Sequence, residues 1–271
     1  MTTTLELEID VAKLAVISTD TDTRRPRIVT ALGKQTRGKT LLIRYLIERG
    51  AVSRSRHLTI IDADPHNQTL AGHFDNVVTP GSTALEDRRV FLEQAIRSQR
   101  DAAAEGNPYD IVADVGGGDL LLSKLAHEIR FTETVDRSGI DLTAFYMLGP
   151  NVSDLDYFKS LHDAGFHPKN LALVCNAGLV AGDRSPDRAF EVILRSPFVE
   201  MLVSERSAKM LFMPALTSDC IEAIDRSGAR TFREALPKLE DLMHEMRLET
   251  WLDQAMEKQI AQRLADMGWL V

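Results

Sequence analysis

The sequence predicts an α/β protein in which a mostly parallel, twisted sheet is flanked by helices. From residue 27 onward, short apolar runs rich in β-formers alternate with longer segments of helical period, the pattern of a parallel sheet covered by helices. Each run is followed by a crossover segment, so right-handed connections are expected. Hydrophobic residues make up 44% and charged residues 27% of the 271 residues, which is ample apolar material for one large core.

Six strands are predicted, each followed by a segment of helical character. In chain order the strands are RIVTALG (27–33), HLTIID (57–62), YDIVADV (109–115), DLTAFYML (141–148), NLALVCNA (170–177) and KMLFMP (209–214). The helices between them are predicted at 38–50, 82–106, 120–137 and 152–165, with a loop and helix through about residue 207. Gly50 is expected to end the first helix, and Ser82 or Thr83 to cap the second, with Gly106 just past its end.

The closing third of the chain is predicted to be helical, first over 218–236 and then as a long amphipathic stretch from Lys238 to about Met267. The predicted organisation is one α/β domain over residues 27–236. A C-terminal amphipathic helix over 237–271 is expected to pack on the core or on a second subunit. Residues 1–26 precede the first clear strand and are expected to form an arm or an edge strand.

Composition limits the kinds of partner. The formal net charge is -8 and the sequence pI about 5.4, so nucleic acid or anionic lipid would have to bind a local basic patch. Cys175 and Cys220 have no metal-binding or redox spacing. The N-terminus has no secretion-signal pattern, and no run of about 18 apolar residues is present, so a cytoplasmic protein is expected.

The stretch ALGKQTRGKT (31–40) carries the phosphate-loop motif G-x-x-x-x-G-K-[ST], between a predicted strand and a predicted helix. Backbone N–H groups of such a loop, with the helix N-terminus, surround phosphate oxygens. Lys39 is expected to reach the β and γ phosphates, and the Thr40 hydroxyl to bind Mg²⁺. The predicted nucleotide-binding residues are Gly33, Lys34, Gln35, Thr36, Arg37, Gly38, Lys39, Thr40 and Leu41.

Lys34 is a second lysine in this loop, and an ordinary phosphate loop needs only Lys39. A lysine at the start of a loop that wraps a triphosphate tends to point away from its own nucleotide. Its natural anionic target then lies across an interface between two chains. The alternative is that Lys34 is a solvated loop lysine.

At this point the chain resembles the deviant Walker A ATPases, the ParA/MinD family, whose loop K-G-G-x-G-K-[ST] has a signature lysine at the same offset. By that resemblance Lys34 and Lys39 are the two catalytic lysines. The match is incomplete, because Gln35 and Thr36 replace the two glycines and Arg37 replaces a small apolar residue. The loop is therefore expected to be stiffer than the family's.

Acidic residues follow the next two strands, at the edge where open α/β sheets place their ligand crevice. LTIIDADPHNQT contains Asp62 and Asp64 and resembles the family's D-x-D-P-Q segment, with His66 in place of Gln. YDIVADVGGGD resembles a Walker B aspartate, Asp114, that leads into a flexible glycine switch. The resemblance implies that Asp64 positions or activates the attacking water, Asp62 lies near the Mg²⁺ shell, and Asp114 holds a Mg²⁺-bound water. A strand-end Asx turn at the first site and a plain glycine turn at the second are the alternatives.

Asn176 and Pro214 end two later strands. In the family, Asn and Pro at corresponding places flank the adenine base, with Asn hydrogen-bonded to the base edge. The resemblance therefore implies that these two residues bind the cofactor. An Asn at a strand end is equally typical of a turn, so both interpretations stay open.

Two C-terminal features bear on partners. Arg226, Arg230 and Arg233 are spaced by four and three residues and would share one face if a helix continued past Gly228, which is a break in the pattern. They are a candidate patch for nonspecific DNA. A solvated face with Asp or Glu partners within the chain is the alternative. The stretch from Leu248 to Val271 carries two bases and four acids, which an anionic bilayer would repel, so a membrane is not the expected partner.

The resemblance implies a ParA-like ATPase with ATP and Mg²⁺ as cofactors. Such a protein forms an ATP-sandwich homodimer and uses slow hydrolysis to partition or position cargo, here plasmid or chromosomal DNA. Nonspecific DNA and a ParB-like or cargo adaptor that stimulates hydrolysis are the partners it implies. The alternatives are a MinD-like membrane-positioning ATPase, a metabolic P-loop ligase or kinase, and a non-hydrolysing nucleotide-binding adaptor, which the altered loop leaves open.

Overall fold

A computed structural model of the chain describes residues 24–51, 56–117, 120–182 and 184–269. Within these ranges one seven-stranded sheet has the order β3-β2-β4-β1-β5-β6-β7, and neighbouring strands pair in parallel. The predicted α/β fold is therefore confirmed. The strands are β1 (Arg27–Leu32), β2 (Leu58–Asp62), β3 (Val77–Val78), β4 (Asp110–Asp114), β5 (Asp141–Leu148), β6 (Asn170–Asn176) and β7 (Lys209–Met213).

Helices connect the strands and complete the C-terminal part of the described chain. They are α1 (Lys39–Ala51), α2 (Leu85–Ala104), α3 (Leu121–Ile129), α4 (Phe131–Arg137), α5 (Asp154–Asp163), α6 (Pro186–Leu194), α7 (Pro197–Glu205), α8 (Ser218–Arg226), α9 (Phe232–Ala235), α10 (Leu242–Thr250) and α11 (Gln262–Asp266). A π-helical stretch, Trp251–Ala261, joins the last two.

The sheet separates two hydrophobic cores, and β1 contributes to both because successive side chains point to opposite faces. Ile28 and Leu32 pack in the core that α2 to α7 cover. Val29 and Ala31 pack in the core that α1 and the C-terminal helices cover. All six residues of β1 are buried, as expected for a central strand of a parallel sheet with helices on both faces.

Several predicted element boundaries were wrong. The helix predicted over 120–137 is two helices, because Arg130 adopts a left-handed conformation with φ 48° between α3 and α4. The helix predicted to reach residue 207 is also a pair, since Pro197 starts α7. The N-cap of α2 is Ala84 rather than Ser82 or Thr83. Strand β3 was not predicted, because two residues are too short to show a period of two.

The C-terminal helical segment packs on the core of its own chain. Trp251, Met256, Ile260 and Leu264 are at most 2% exposed and belong to the second core. The Trp251 indole Nε1 donates to the carbonyl of Pro214, 3.0 Å away, at the end of β7. Across the described residues, no helix combines the length and the apolar character that crossing a membrane requires.

The predicted N-terminal arm or edge strand at residues 1–26 lies outside the described residues, apart from Arg24 to Pro26. The domain boundaries at residues 26 and 236 stay predictions.

Candidate functional site

The phosphate loop runs from Gly33 to Gly38 between β1 and α1, at the carboxyl edge of the sheet. Gly38 has φ 84°, and a Cβ at this position would lie 2.5 Å from Asn176 Nδ2 and 2.9 Å from Met213 Cε. Only glycine meets both conditions. Because α1 starts at Lys39, the N–H groups of its first turn open onto the loop, which is the arrangement that binds phosphate.

Lys39 lies on the inner side of the loop. It is 7% exposed, and its Nζ donates to the Lys34 carbonyl at 3.0 Å. Burial lowers the pKa of Lys39, and the charges of Asp114 and Asp64 oppose that shift. A Cβ on Gly117 would approach Lys39 Nζ to 2.7 Å, so the segment after β4 lies directly against this amine.

Thr40 and Asp114 are in direct contact at the start of α1 and the end of β4. Thr40 Oγ1 donates to Asp114 Oδ2 at 2.9 Å, and Asp114 Oδ1 accepts from the Gly116 N–H at 3.2 Å. Asp114 is 2% exposed, and burial raises its pKa, while the hydrogen bonds from Thr40 and Gly116 lower it. A hydroxyl and a carboxylate are hard oxygen ligands, so this pair fits Mg²⁺ beside a phosphate loop.

Asp62 lies beside Asp114, because the two residues are paired in the register of β2 and β4. Its Oδ2 accepts from the Leu70 N–H at 2.9 Å and its Oδ1 from the Asp64 N–H at 3.4 Å. Burial raises the pKa of Asp62 to about 6. Among the described contacts, Asp62 holds the backbone that follows β2, and Asp114 is the acid that touches Thr40. A metal-shell role for Asp62 stays a prediction.

Asp64 forms the Asx turn that the sequence left open as an alternative. Its Oδ1 accepts from the N–H groups of His66 and Asn67, at 2.8 and 3.1 Å. The carboxylate also faces the site, since a Cβ on Gly116 would lie 3.1 Å from Asp64 Cγ. The turn fixes the direction of the carboxylate, so the two interpretations are compatible. Its role toward water stays a prediction.

Lys34 lies on the outer side of the loop, against the start of α5. Its Nζ donates to Ser153 Oγ at 2.9 Å and lies 3.8 Å from Asp154 Oδ1, and its side chain is 38% exposed. Arg37 donates to both Asp154 oxygens, from Nε at 2.7 Å and Nη2 at 3.1 Å. The Gly149 N–H adds a third hydrogen bond to Asp154, at 2.8 Å. We call Lys34, Arg37, Ser153 and Asp154 the outer cluster.

Sequence reasoning missed Ser153 and Asp154. Their partners Lys34 and Arg37 lie 119 and 117 residues away along the chain, so no local motif connects them. The signal that was present is the place of Asp154 as the first residue of a helix that follows the central strand β5. An acid at that position lies at the same edge of the sheet as the phosphate loop, where it can pair with Lys34 and Arg37.

The residues that replace the family's glycines show how the loop departs from the family pattern. Thr36 has φ 59°, a left-handed conformation that is unfavourable for a β-branched residue.

Leu41 lies in the first turn of α1, and its side chain packs in part against the second core. If Leu41 binds a nucleotide, it would do so through its backbone N–H rather than through its side chain. Binding by Gln35, Thr36, Arg37 and Leu41 stays a prediction.

Asn176 and Pro214 come together at the carboxyl ends of the adjacent strands β6 and β7. Asn176 Nδ2 donates to the Arg37 carbonyl at 3.0 Å, and its Oδ1 accepts from the Gly178 N–H at 2.9 Å. Asn176 therefore makes a turn and also ties the phosphate loop to β6. Contact with a nucleotide base stays a prediction for both residues.

The three arginines do not share one helical face, because the helix breaks at Gly228, as the glycine in the sequence suggested. Arg226 ends α8, Gly228 follows with φ 62°, and Arg230 lies in the connection before α9, which carries Arg233. Arg230 pairs with Asp75, and Arg233 with Asp253. The alternative of acidic partners within the chain therefore describes two of the three. DNA binding by this region stays a prediction.

The described residues contain no group of three or more His, Cys, Asp or Glu side chains that could hold a metal ion by themselves. A magnesium site at the phosphate loop does not need such a group, because Mg²⁺ keeps several waters and takes one or two protein ligands plus phosphate oxygens.

No family model matches the chain, and no curated protein matches it. Among solved structures it is similar to the signal recognition particle receptor FtsY from Elizabethkingia anophelis, at 12% identity and TM-score 0.44, over 85% of this chain and 67% of that one. A structure of FlhF complexed with GMPPNP/Mg(2+) is similar at 15% identity and TM-score 0.39, over 64% and 63%. The same FtsY in complex with GDP is similar at 15% identity and TM-score 0.38, over 60% and 52%.

These are distant likenesses, and the phosphate loop is identified by the geometry of this chain. The motif G-x-x-x-x-G-K-T lies between β1 and α1 of a parallel sheet, with Lys39 on the inside of the loop and Thr40 bound to Asp114. The chain therefore has a P-loop NTPase fold.

Proposed function

We propose that the protein is a Mg²⁺-dependent nucleoside triphosphatase that uses ATP and works as a ParA-like, nucleotide-dependent homodimer. The observation that carries the proposal is the convergence of Lys39, the Thr40–Asp114 contact and Asp64 at the carboxyl edge of the sheet. A cation, two potential metal ligands and a carboxylate near one helix N-terminus are the parts that phosphoryl transfer to water needs.

Bound Mg²⁺-ATP supplies an electrophilic γ-phosphorus and a leaving group that is already partly neutralised. Lys39 would exchange the Lys34 carbonyl for phosphate oxygens. Thr40 and Asp114 would orient the metal shell, Thr40 directly and Asp114 through water. Asp64, held in direction by its Asx turn, would hold the attacking water.

The dimer is supported by the position of Lys34. Its amine lies on the outer side of the loop, away from Lys39, and its present partners are a hydroxyl and a carboxylate 3.8 Å away. The Lys34 side chain is 38% exposed, and Arg37 stays bound to the buried Asp154 carboxylate, so releasing the lysine to a partner's phosphates would cost little. ATP would then form part of the interface between two copies, and hydrolysis would loosen it.

The proposed partners are nonspecific DNA, to which the dimer would bind, and a ParB-like or cargo adaptor, which would stimulate hydrolysis. A bilayer is less well supported, because the apolar residues of the last part of the segment, Trp251, Met256, Ile260 and Leu264, are already buried in its own core. A DNA mobility shift in low salt, compared with liposome pelleting, separates the two surfaces. Retention on liposomes without a DNA shift would replace this part of the proposal with the MinD-like alternative.

The test of the proposed function measures nucleotide affinity and phosphate release with ATP and with GTP, each with Mg²⁺ and with EDTA. The expected result is Mg²⁺-dependent turnover with ATP preferred. A preference for GTP would show that the bound base is guanine rather than adenine. Binding without turnover would favour a non-hydrolysing adaptor, and turnover that requires a metabolite would favour a ligase or kinase. Failure to bind either nucleotide would overturn the proposal.

Oligomeric state tests the homodimer. Size-exclusion chromatography with light scattering would be run without nucleotide, with ADP and with a slowly hydrolysed ATP analogue. We expect a dimer only with the analogue. Asp64→Ala should accumulate dimers with ATP itself, because hydrolysis no longer releases them. Rapid dissociation at normal turnover would refute the role of Asp64.

A further inference from the structure

Helix α2 carries a buried arginine next to the proposed hydrolysis site. Arg88 is 2% exposed and lies one turn into the helix. Its Nε donates to the carbonyl of Ala63 at 2.9 Å, and its Nη2 donates to the carbonyl of Val115 at 3.1 Å. Two donors of one rigid, planar guanidinium therefore hold two carbonyls that lie 52 residues apart in the chain.

Both carbonyls belong to the segments that carry the acidic residues. Ala63 lies between Asp62 and Asp64. Val115 directly follows Asp114 and precedes the glycine whose N–H binds that carboxylate. The backbones of the two strand ends are also joined to each other, since the Ala63 N–H donates to the Asp114 carbonyl at 2.7 Å. Arg88 thus holds the two segments at the point where β2 and β4 end.

We propose that Arg88 is a positioning residue for nucleotide hydrolysis, which sets the separation of the Asp64 and Asp114 carboxylates through the backbone between them. This inference rests on the proposed function. Hydrolysis is sensitive to small displacements, and a misplacement of about 1 Å can cost about a hundredfold in rate. Binding of the nucleotide depends mainly on the phosphate loop, which these two hydrogen bonds of Arg88 do not involve.

The same helix offers a matched control at the other edge of the sheet. Gln99 is 0% exposed, and its Nε2 donates to the carbonyls of Arg27 at 2.9 Å and Tyr109 at 2.8 Å. Those carbonyls lie at the amino end of β1 and just before β4. Gln99 therefore also joins two backbone segments from α2, but far from the acidic residues. Replacing either residue removes two described buried hydrogen bonds from a side chain to backbone carbonyls, and replacing Arg88 by Met also removes a charge.

The experiment compares Arg88→Met, Arg88→Lys and Gln99→Met for ATP turnover, ATP affinity and the midpoint of urea unfolding. For Arg88→Met we expect kcat to fall on the order of tenfold to a hundredfold with ATP affinity changed by less than about threefold. Arg88→Lys should recover part of that loss, because one donor can still reach a carbonyl. Gln99→Met should lower the urea midpoint to a similar extent and leave kcat unchanged.

An unchanged kcat in Arg88→Met, or an equal loss in Gln99→Met, would overturn the proposal. If Arg88→Met does not fold, Arg88→Lys decides, with normal turnover as the contrary result. Amide hydrogen exchange gives a second readout that needs no turnover. Exchange over 63–67 and 114–117 should be faster in the Arg88 variants and not in Gln99→Met, and unaltered protection there would remove the positioning role. A wild-type protein without turnover would refute the proposed function, and exchange would still decide whether Arg88 joins the two segments.

Discussion

The inner and outer sides of the phosphate loop hold two lysines, five residues apart, in different environments. Lys39 is buried and bound to a carbonyl of the loop itself. Lys34 is 38% exposed at its side chain and bound to the start of α5. The hydrogen bond of Lys39 is local in sequence, whereas the polar contacts of Lys34 come from the start of a helix more than a hundred residues away. The loop therefore has one lysine on its inner side and another on its outer side, where the outer cluster lies. We call this outer side the rim.

The cations on the two sides of the loop differ in how firmly their present contacts hold them. Lys39 is lined by loop backbone and by the segment after β4, so a bound phosphate would replace contacts that already exist there. On the rim, the strong pair is Arg37 with Asp154, which is bidentate and has a carboxylate only 1% exposed. Lys34 adds a longer, more exposed contact to the same carboxylate. Arg37 is thus the fixed member of the outer cluster, and Lys34 is the one that can leave.

The largest expected effect comes from the inner side. Lys39→Ala removes the cation that faces transferred charge, so phosphate release should fall on the order of a hundredfold or more. Steady-state turnover with ATP and Mg²⁺ measures it. Lys159→Ala, an exposed lysine on α5, is the control and should keep wild-type turnover. Normal phosphate release from Lys39→Ala would show that Lys39 does not take part in the reaction.

The next largest effect is on the rim, as a loss of stability. Asp154→Asn keeps the shape and an acceptor for the Gly149 N–H but removes the charge that Arg37 faces. The free energy of unfolding should fall by about 2 to 3 kcal/mol, the low end for a broken buried pair, because Arg37 is partly exposed and can be hydrated. Urea denaturation measures it. The control is Asp156→Asn, two residues away and exposed, which should change stability by less than about 0.5 kcal/mol.

If Asp154→Asn and Asp156→Asn have equal effects, the outer cluster does not hold the loop. A loss of stability confined to Asp154→Asn, with nucleotide affinity lowered as well, would show that the rim keeps the loop in shape for the inner side.

The inner side was largely predictable from the sequence, and the rim was not. Gly38, Lys39 and Thr40 are contiguous, and the rule that parallel strands end at one edge is enough to bring Asp114 to Thr40. Asp154 reaches Arg37 only through the order of β1 and β5 in the sheet and the start of α5, which a single sequence does not reveal. The hydrogen bond from the Leu70 N–H to Asp62 also depends on the turn after β2, and hydrophobic periodicity does not predict the conformation of a turn.

Helical spacing misled where one residue changed the direction of the backbone. The arginines near the C-terminus have spacings of four and three, but Gly228 takes φ 62° and the helix ends before it. Arg130 does the same between α3 and α4, without being glycine. The break at Gly228 is visible in the sequence as a glycine, whereas the break at Arg130 is not. Periodicity reports which face is apolar and is insensitive to a single left-handed residue, so the end of α3 could not be inferred from pattern alone.

A smaller effect is expected from relieving strain inside the loop. Thr36→Gly should raise the free energy of unfolding by about 1 kcal/mol, since the cost of a left-handed β-branched residue exceeds the extra freedom glycine gains in the unfolded chain. Thermal or urea denaturation measures the change. Gln35→Gly is the matched control, because Gln35 is not among the residues with positive φ and its substitution should destabilise. Equal destabilisation by both would mean that Thr36 costs nothing in this loop.

The smallest effect on the fold is expected at Lys34, although it is the position that matters most for the proposed dimer. Lys34→Ala should change the free energy of unfolding by less than about 1 kcal/mol, because its ion pair is half-exposed and Arg37 still occupies Asp154. Light scattering with the slowly hydrolysed ATP analogue should show a monomer, with nucleotide binding partly retained. The paired measurement separates the two roles of the residue. A variant that is as stable as the wild type and still dimerises with nucleotide would assign Lys34 to the rim of its own loop alone, and the two lysines would then serve a single chain.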